Sequence, residues 1–280
     1  MTQQELKEKV AIVAQSSNVF RKLGKFIEEN WTGIGMLNAT EVAIKAEVSQ
    51  GSVTRFCNIL GFSGYNEFSK VWKQSIYENL SAPNRLKNVK EKHADLSRII
   101  EEEQQNLQKL PEIVLGEHYK QIVRQLVEKE KIVLMSARIS ATLLDEFYYT
   151  FSKIRDNVKV VTPETPEWNN IVLENPKNVF VFVVMFPRYP NSLIKEVEEL
   201  HNAKFEIGLL TDNILCPLTQ LSKYHLEVPI SSASFFDIYN TPRTLINYLI
   251  MDVAKHIDNL EDRMTRLEEF ESKSGVYYKP

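Results

Sequence analysis

The sequence predicts an all-α N-terminal domain followed by a three-layer α/β domain with a mainly parallel five-stranded sheet. Three observations lead there. Up to about residue 80 the apolar residues recur at helical spacing. From residue 112, short apolar runs rich in β-branched residues alternate with helical segments, the pattern of parallel strands covered on both faces. A chain of 280 residues is also long enough for two independent cores.

Residues 3 to 30 read as two helices, with Leu6, Val10 and Val13 inward in the first and Val19, Phe20, Leu23, Phe26 and Ile27 in the second. The polar cluster Ser16-Ser17-Asn18 separates them and can cap the second. Asn38, with Glu41 three residues later, predicts a capping box and a short helix whose small apolar face is Val42, Ala43 and Ala46. Val48 and Ser49 close a tight turn, and Ser49 caps the next helix, which buries Val53, Phe56, Cys57 and Leu60. Gly61 is the expected left-handed C-cap, with Phe62 folding back.

The opposite face of that second helix carries Gln50, Gly51, Ser52, Thr54, Arg55 and Asn58, small or hydrogen-bonding residues around one arginine with no acidic residue among them. A helix entering a DNA major groove needs close approach, donors and acceptors for base edges, and a cation for phosphate. Periodicity alone leaves open the exposed face of an ordinary helical pair. A further helix from Tyr65 to Leu80 turns Phe68, Val71, Trp72 and Ile76 inward, while Lys70 and Lys73 sit nearer its outer side. Those lysines suit phosphate contact or simple solvation.

Ser81-Ala82-Pro83-Asn84 is expected to break the helix, and the basic stretch to about residue 92 reads as a linker. His93 to Leu110 reads as a charged connecting helix that ends at Pro111, and Ile113 to Glu128 as another. Five strands are expected at 131–136, 158–162, 178–185, 205–211 and 224–230. Helices are expected between them at 141–154, 167–173, 192–202 and 218–223. Ligands in such sheets bind beyond the carboxyl ends of the strands, where strand order reverses, which directs attention to 136–140, 186–192 and 211–213. Thr241 to Glu271 reads as one long helix opened by Pro242, with Val253, Ile257, Leu260, Met264 and Leu267 at heptad spacing. The expected division is therefore a head at 1–80, a linker with a connecting helix at 81–111, an α/β domain at 112–260, and a helix end and tail at 261–280.

Composition excludes several classes. The net charge of −3 argues against a generally polyanion-binding surface, so any DNA contact is local. The longest apolar run, VFVFVVMF, stops at Pro187, too short to span a bilayer, and the polar start MTQQELKEKV lacks the regions of a signal peptide. Cys57 and Cys216 make no disulfide framework or zinc site, and a cytoplasmic location is expected. The five histidines are scattered without metal-ligand spacing. No cofactor, metal or catalytic residue is implied, and His201 and His225 near element ends suit surface or capping roles.

The stretch VSQGSVTRFCNILGFSGYNEF resembles the helix-turn-helix of the RpiR/MurR-type bacterial transcription regulators. That signature runs E-L-A, a turn, V-S, T-V-x-R-F, L-G-F and G-Y-x-E-F. Here Glu41-Val42-Ala43, Val48-Ser49, Ser52-Val53, Arg55-Phe56, Leu60-Gly61-Phe62, Gly64-Tyr65 and Glu67-Phe68 answer it. Ser52 stands for a usual threonine and keeps the hydroxyl. Glu47 stands where the turn often has glycine, an uncomfortable choice if positive φ is needed. The resemblance implies a double-stranded DNA partner, with an operator that is palindromic if the protein is a homodimer or higher homo-oligomer.

The second half resembles, by pattern, the SIS-like (sugar-isomerase-type) phosphosugar-binding domain that follows this head in the family. The family's G-x-G-x-S turn after the first strand falls on Ser136, Ala137, Arg138, Ile139 and Ser140, so both glycines are gone. Its S-x-S-G-x-T turn after the third strand falls on residues 185–190, MFPRYP, without a hydroxyl of that motif or its glycine. The usual phosphate cradle does not carry over. Arg138 and Arg188 instead offer two guanidinium groups to an anionic metabolite, such as a sugar phosphate or sugar-derived acid, with Ser136 and Ser140 beside them. A vestigial cleft with surface arginines is the alternative. The FPRYP turn and Ser234-Phe235-Phe236-Asp237 also resemble a subset of these regulators. The expected function is a transcriptional regulator, by analogy a repressor. The alternatives are a sugar-phosphate isomerase-like enzyme, and a regulator whose SIS-like domain only dimerises.

Overall fold

The computed structural model describes residues 1–278 apart from 2, 32, 80, 92–94, 164, 215 and 232–233. The expected helix end at Leu80 and helix start at His93 lie outside the described residues. Two compact units divide the chain, the first built on Met1–Asp95 and the second on Leu96–Asp212 with Cys216–Ser232 and Phe236–Pro280.

The first unit is helical: α1 (Gln3–Ala14), α2 (Asn18–Glu29), α3 (Ala39–Lys45), α4 (Gln50–Ile59), α5 (Tyr65–Asn79) and α6 (Ala82–Glu91). Ser17 caps α2 by accepting the Phe20 N–H at 3.1 Å. The core joins Leu6, Val10, Leu23, Ile27, Val42, Val53, Phe56, Phe68 and Trp72. A 3₁₀ turn at Ile34–Met36 is fastened to α5, where the Tyr65 hydroxyl donates to Ile34 O and Ser69 Oγ donates to Gly35 O at 2.8 Å. A Cβ at Gly35 would come within 2.3 Å of Trp72 Cε3, so only glycine lets the turn lie on the indole. The basic stretch expected as a linker is α6, a helix with Pro83 in its first turn, where a missing N–H costs nothing.

The second unit starts with α7 (Leu96–Leu107), α8 (Leu110–Leu115) and α9 (Glu117–Glu128). Pro111 opens α8 instead of ending the helix before it, and Gly116 separates α8 from α9. Then come β1 (Lys131–Ser136), α10 (Thr142–Ile154), β2 (Val158–Val161), α11 (Pro166–Ile171), β3 (Val179–Val184), α12 (Asn191–Asn202), β4 (Glu206–Thr211), β5 (Tyr224–Glu227), α13 (Asn240–Ala254) and α14 (Leu260–Lys273). The strands lie in the order β2-β1-β3-β4-β5 and every pair is parallel. Alternation divides the strand residues between two cores. Ile132, Leu134, Phe180 and Phe182 meet α9, α10 and α13 on one face. Val133, Met135, Val181 and Val183 meet α11 and α12 on the other.

Two expected helices differ. Residues 218–223 form turns. The last helix is two, broken where Asn259 takes φ +56°, a conformation asparagine tolerates better than most residues. The heptad seam is largely used within the chain, since Val253 is buried and Ile257, Leu260 and Met264 pack against the same core.

Candidate functional site

The α3–turn–α4 hairpin is built by its caps. Asn38 Oδ1 accepts the N–H groups of Thr40 and Glu41 at 3.0 and 2.9 Å, and the Glu41 carboxylate accepts the Asn38 N–H at 2.7 Å. At the end of α3, Glu47 takes φ +54°. Its N–H donates to Ile44 O at 3.1 Å and that of Val48 to Ala43 O at 2.9 Å, the paired bonds of a Schellman ending. The left-handed conformation costs a residue with a Cβ about 1–2 kcal/mol, offset here by Val48 packing on the core. Ser49 then accepts the Ser52 N–H at 3.1 Å and opens α4. α4 closes with the same bond pattern, this time with glycine: Gly61 has φ +97°, and Phe62 N–H donates to Cys57 O at 2.9 Å.

Five of the six residues expected on the DNA-facing side, Gln50, Gly51, Thr54, Arg55 and Asn58, are exposed. Among the described residues Arg55 has no hydrogen-bond or ion-pair partner. Ser52 does not belong to that face. It is 5% exposed, and its hydroxyl lies 2.8 Å from that of Ser49, because the third helical position turns back toward the cap. Asn58, oriented to satisfy its neighbours, donates its amide to Phe62 O at 3.0 Å and Thr54 O at 3.3 Å, so it finishes the helix as well as facing outward. Residues 1–95 carry 13 Lys and Arg against 10 Asp and Glu, whereas the chain carries 34 against 37. The positive balance is thus concentrated in the N-terminal third that holds this helix.

In the second unit, β1 and β3 are neighbours in register, with Ser136 beside Val184. From β1 the chain moves to β2 on one side, and from β3 to β4 on the other, so strand order reverses between them. The turns that follow these two strands therefore open on one cleft of about 400 Å³, whose polar lining is Arg138, Ser140, Arg188, Asn191 and Ser192. Arg138 takes φ +60° on the first turn, and Arg188 stands on the second. Both are exposed, and neither has an ion-pair partner among the described residues.

Ser136 does not line the cleft. It is fully buried and donates to Val184 O at 2.7 Å, tying β1 to β3 below it. Ser140 reaches the lining but donates its own hydroxyl to Ala137 O at 3.0 Å. The second turn is pinned by Tyr189, whose hydroxyl donates to Asp212 Oδ1 at 2.7 Å beyond β4. Asn191 and Ser192, which fall in the 186–192 segment the sequence pointed to without being singled out there, are the first residues of α12. Its cap position is Pro190, which offers no side-chain acceptor, so the orphan N–H groups of this first turn open where Asn191 and Ser192 line the cleft. The signal for them was a strand, a turn and a helix start at the reversal point.

The remaining reactive residue types have structural tasks. His225 N–H donates to His118 Nδ1 at 3.1 Å, and burial followed by the charge of His118 lowers the pKa of His225. His201 Nδ1 lies 2.9 Å from Leu221 O. Burial pushes the Cys57 thiol up to about 12 and that of Cys216 to about 11, so neither is a ready nucleophile. Among the described residues no group of three His, Cys, Asp or Glu is placed to hold a metal. Among them too, no helix is long and apolar enough to cross a membrane.

Residues 12–78 match the model of the helix-turn-helix domain of the rpiR family. No curated protein is significantly similar to the chain. Among solved structures, the sugar isomerase domain of an RpiR transcription factor from Sphaerobacter thermophilus is similar at TM-score 0.57 and 12% identity, covering 63% of this chain and 97% of that one. The Vibrio vulnificus NanR protein complexed with ManNAc-6P is similar over 96% of this chain and 98% of that one, at 14% identity and TM-score 0.49. Capped hairpin, parallel sheet and family match converge: residues 12–78 are an rpiR-family helix-turn-helix domain, and the chain carries it ahead of an α/β domain with the sugar isomerase fold.

Proposed function

We propose that this protein is a cytoplasmic DNA-binding transcriptional regulator, a repressor in its commonest mode, that responds to a small anionic metabolite. The observation that carries the reading is the exposed face of α4. On an rpiR-family domain it presents Gln50, Gly51, Thr54 and an Arg55 without a partner among the described residues, with no acidic residue anywhere in the helix. Gly51 permits close approach, the polar side chains suit base edges, and the guanidinium suits guanine or phosphate. Paired recognition helices in a homodimer would read the two halves of a palindromic operator.

The cleft supplies the regulatory half. Two guanidinium groups without ion-pair partners among the described residues, and an uncapped helix start, favour an anion there, of which a sugar phosphate or sugar-derived acid is the form the family resemblance implies. An anion held with different affinity in two arrangements of the α/β domain shifts their populations and, by linkage, DNA affinity. Isomerase chemistry needs a positioned base, and the described lining residues include no carboxylate or imidazole. That favours a sensor over an enzyme.

The test is binding of the purified chain to DNA from upstream of its own gene, against scrambled DNA, across a salt series. Specific binding that weakens steeply with salt is expected, and a candidate anion should alter it. Equal affinity for scrambled DNA at every salt would sink the regulator reading. Specific binding that no small molecule alters would leave the α/β domain as a dimerising module, and turnover of a sugar phosphate would revive the enzyme.

A further inference from the structure

The cleft has a one-sided chemistry. Arg138 and Arg188 are donors only, and the first turn of α12 adds backbone N–H groups. The hydroxyl hydrogen of Ser140 is already given to Ala137 O. The Asp212 carboxylate, beyond the next strand, takes the Tyr189 hydroxyl. With that hydrogen committed the Ser140 oxygen is an acceptor, and among the described lining residues Asn191 and Ser192 supply the other side-chain acceptors. The exposed apolar part of the wall is Ile139, which is 54% exposed, with the half-buried Pro190; Phe186 and Pro187 are buried behind them.

A polyhydroxylated ligand brings one donor with every hydroxyl. In such a cleft those donors outnumber the three side-chain acceptors, and a donor left unpaired away from water is costly. An anion on a hydrocarbon stem matches both halves. Its acceptor-only head meets the guanidinium groups, and its stem covers Ile139 and Pro190. We infer that the cleft selects an anion with an apolar body and few hydroxyl groups over a polyhydroxylated anion of the same charge. This inference rests on the effector-cleft reading above and names the class of effector.

The experiment is calorimetric titration of the full chain with four probes in two matched pairs: cyclohexanecarboxylate against gluconate, and hexyl phosphate against glucose 6-phosphate. In at least one pair the apolar member should bind at least tenfold tighter, and comparison across pairs assigns the head group as carboxylate or phosphate. The preferred probe should lose its binding in the Arg138→Ala/Arg188→Ala double variant, and Ile139→Ser should narrow the ratio within the pair. Equal or tighter binding of gluconate or glucose 6-phosphate overturns the inference while leaving the cleft an anion sensor. Binding that survives the double arginine variant overturns it by placing the ligand elsewhere. Absence of binding by all four probes and by inorganic phosphate, in protein that still binds DNA, overturns both the inference and the sensor reading.

Discussion

The exposed face of α4 and the cleft over β1 and β3 both offer an anion exposed arginine, yet they are made in opposite ways. The α4 face is one continuous stretch, held by caps at Asn38, Ser49 and Gly61 that are themselves neighbours in sequence. The cleft joins two turns some fifty residues apart, and they meet because β1 and β3 pair in register at a reversal of strand order. A site made from local caps keeps its motif visible, and every departure from it can be weighed residue by residue. One made from paired turns can exchange its side chains wholesale while the sheet keeps the geometry. Glu47 shows the first case: a single non-glycine in a left-handed position, inside an otherwise intact hairpin. Arg138 and the FPRYP turn show the second.

The comparison can be broken or sharpened by four substitutions. Arg188→Ala should abolish the response of DNA binding to an anionic effector, read by titrating a protein–DNA complex with the effector; a retained response would put the sensor site elsewhere. Arg55→Ala should weaken specific DNA binding by about 1–3 kcal/mol, roughly ten- to hundredfold, with helix content and subunit state unaltered. Undiminished affinity would remove that residue from the interface. Gly35→Ala forces a Cβ against Trp72 and should destabilise the head by about 1–3 kcal/mol. Denaturant unfolding followed by the fluorescence of Trp31 and Trp72 should show a lowered first transition. An unshifted midpoint would mean that the 3₁₀ turn is looser than its bonds to α5 imply. Glu47→Gly should raise the stability of the head by about 1 kcal/mol by relieving the left-handed strain. The ion pair it removes, to Lys22, is highly exposed and contributes little. A loss of stability would show that the turn depends on the glutamate side chain.

Much of the head was legible because its determinants are local. The capping box, the serine N-cap and the glycine C-cap each depend on residues three or four positions apart, and each formed where the spacing put it. Five strands were legible for the related reason that β-branched runs bounded by polar residues have few alternatives. The break expected at 81–84 falls where α5 gives way to α6, but Pro83 and Pro111 each open a helix as well, since the same residue that ends a helix also starts one. The length of the last helix was overestimated because heptad spacing carries straight through Asn259, where the backbone turns left-handed.

By itself, then, the sequence determined the order of helices and strands, the capped hairpin with Arg55 on its outer side, and the presence of arginine in both turns at the reversal point. Tertiary structure alone decided that Ser136 was not free: it looked outward by motif but bonds across the sheet to Val184, whereas Ser52 closes onto Ser49 within its own turn. Tertiary structure also brought α12 to the cleft, adding Asn191, Ser192 and an uncapped helix start to the two arginines. The physical reason is one of range. Caps and periodicity act within a helical turn, whereas a hydroxyl's partner or a cleft's wall is set by strands whose register no single segment encodes.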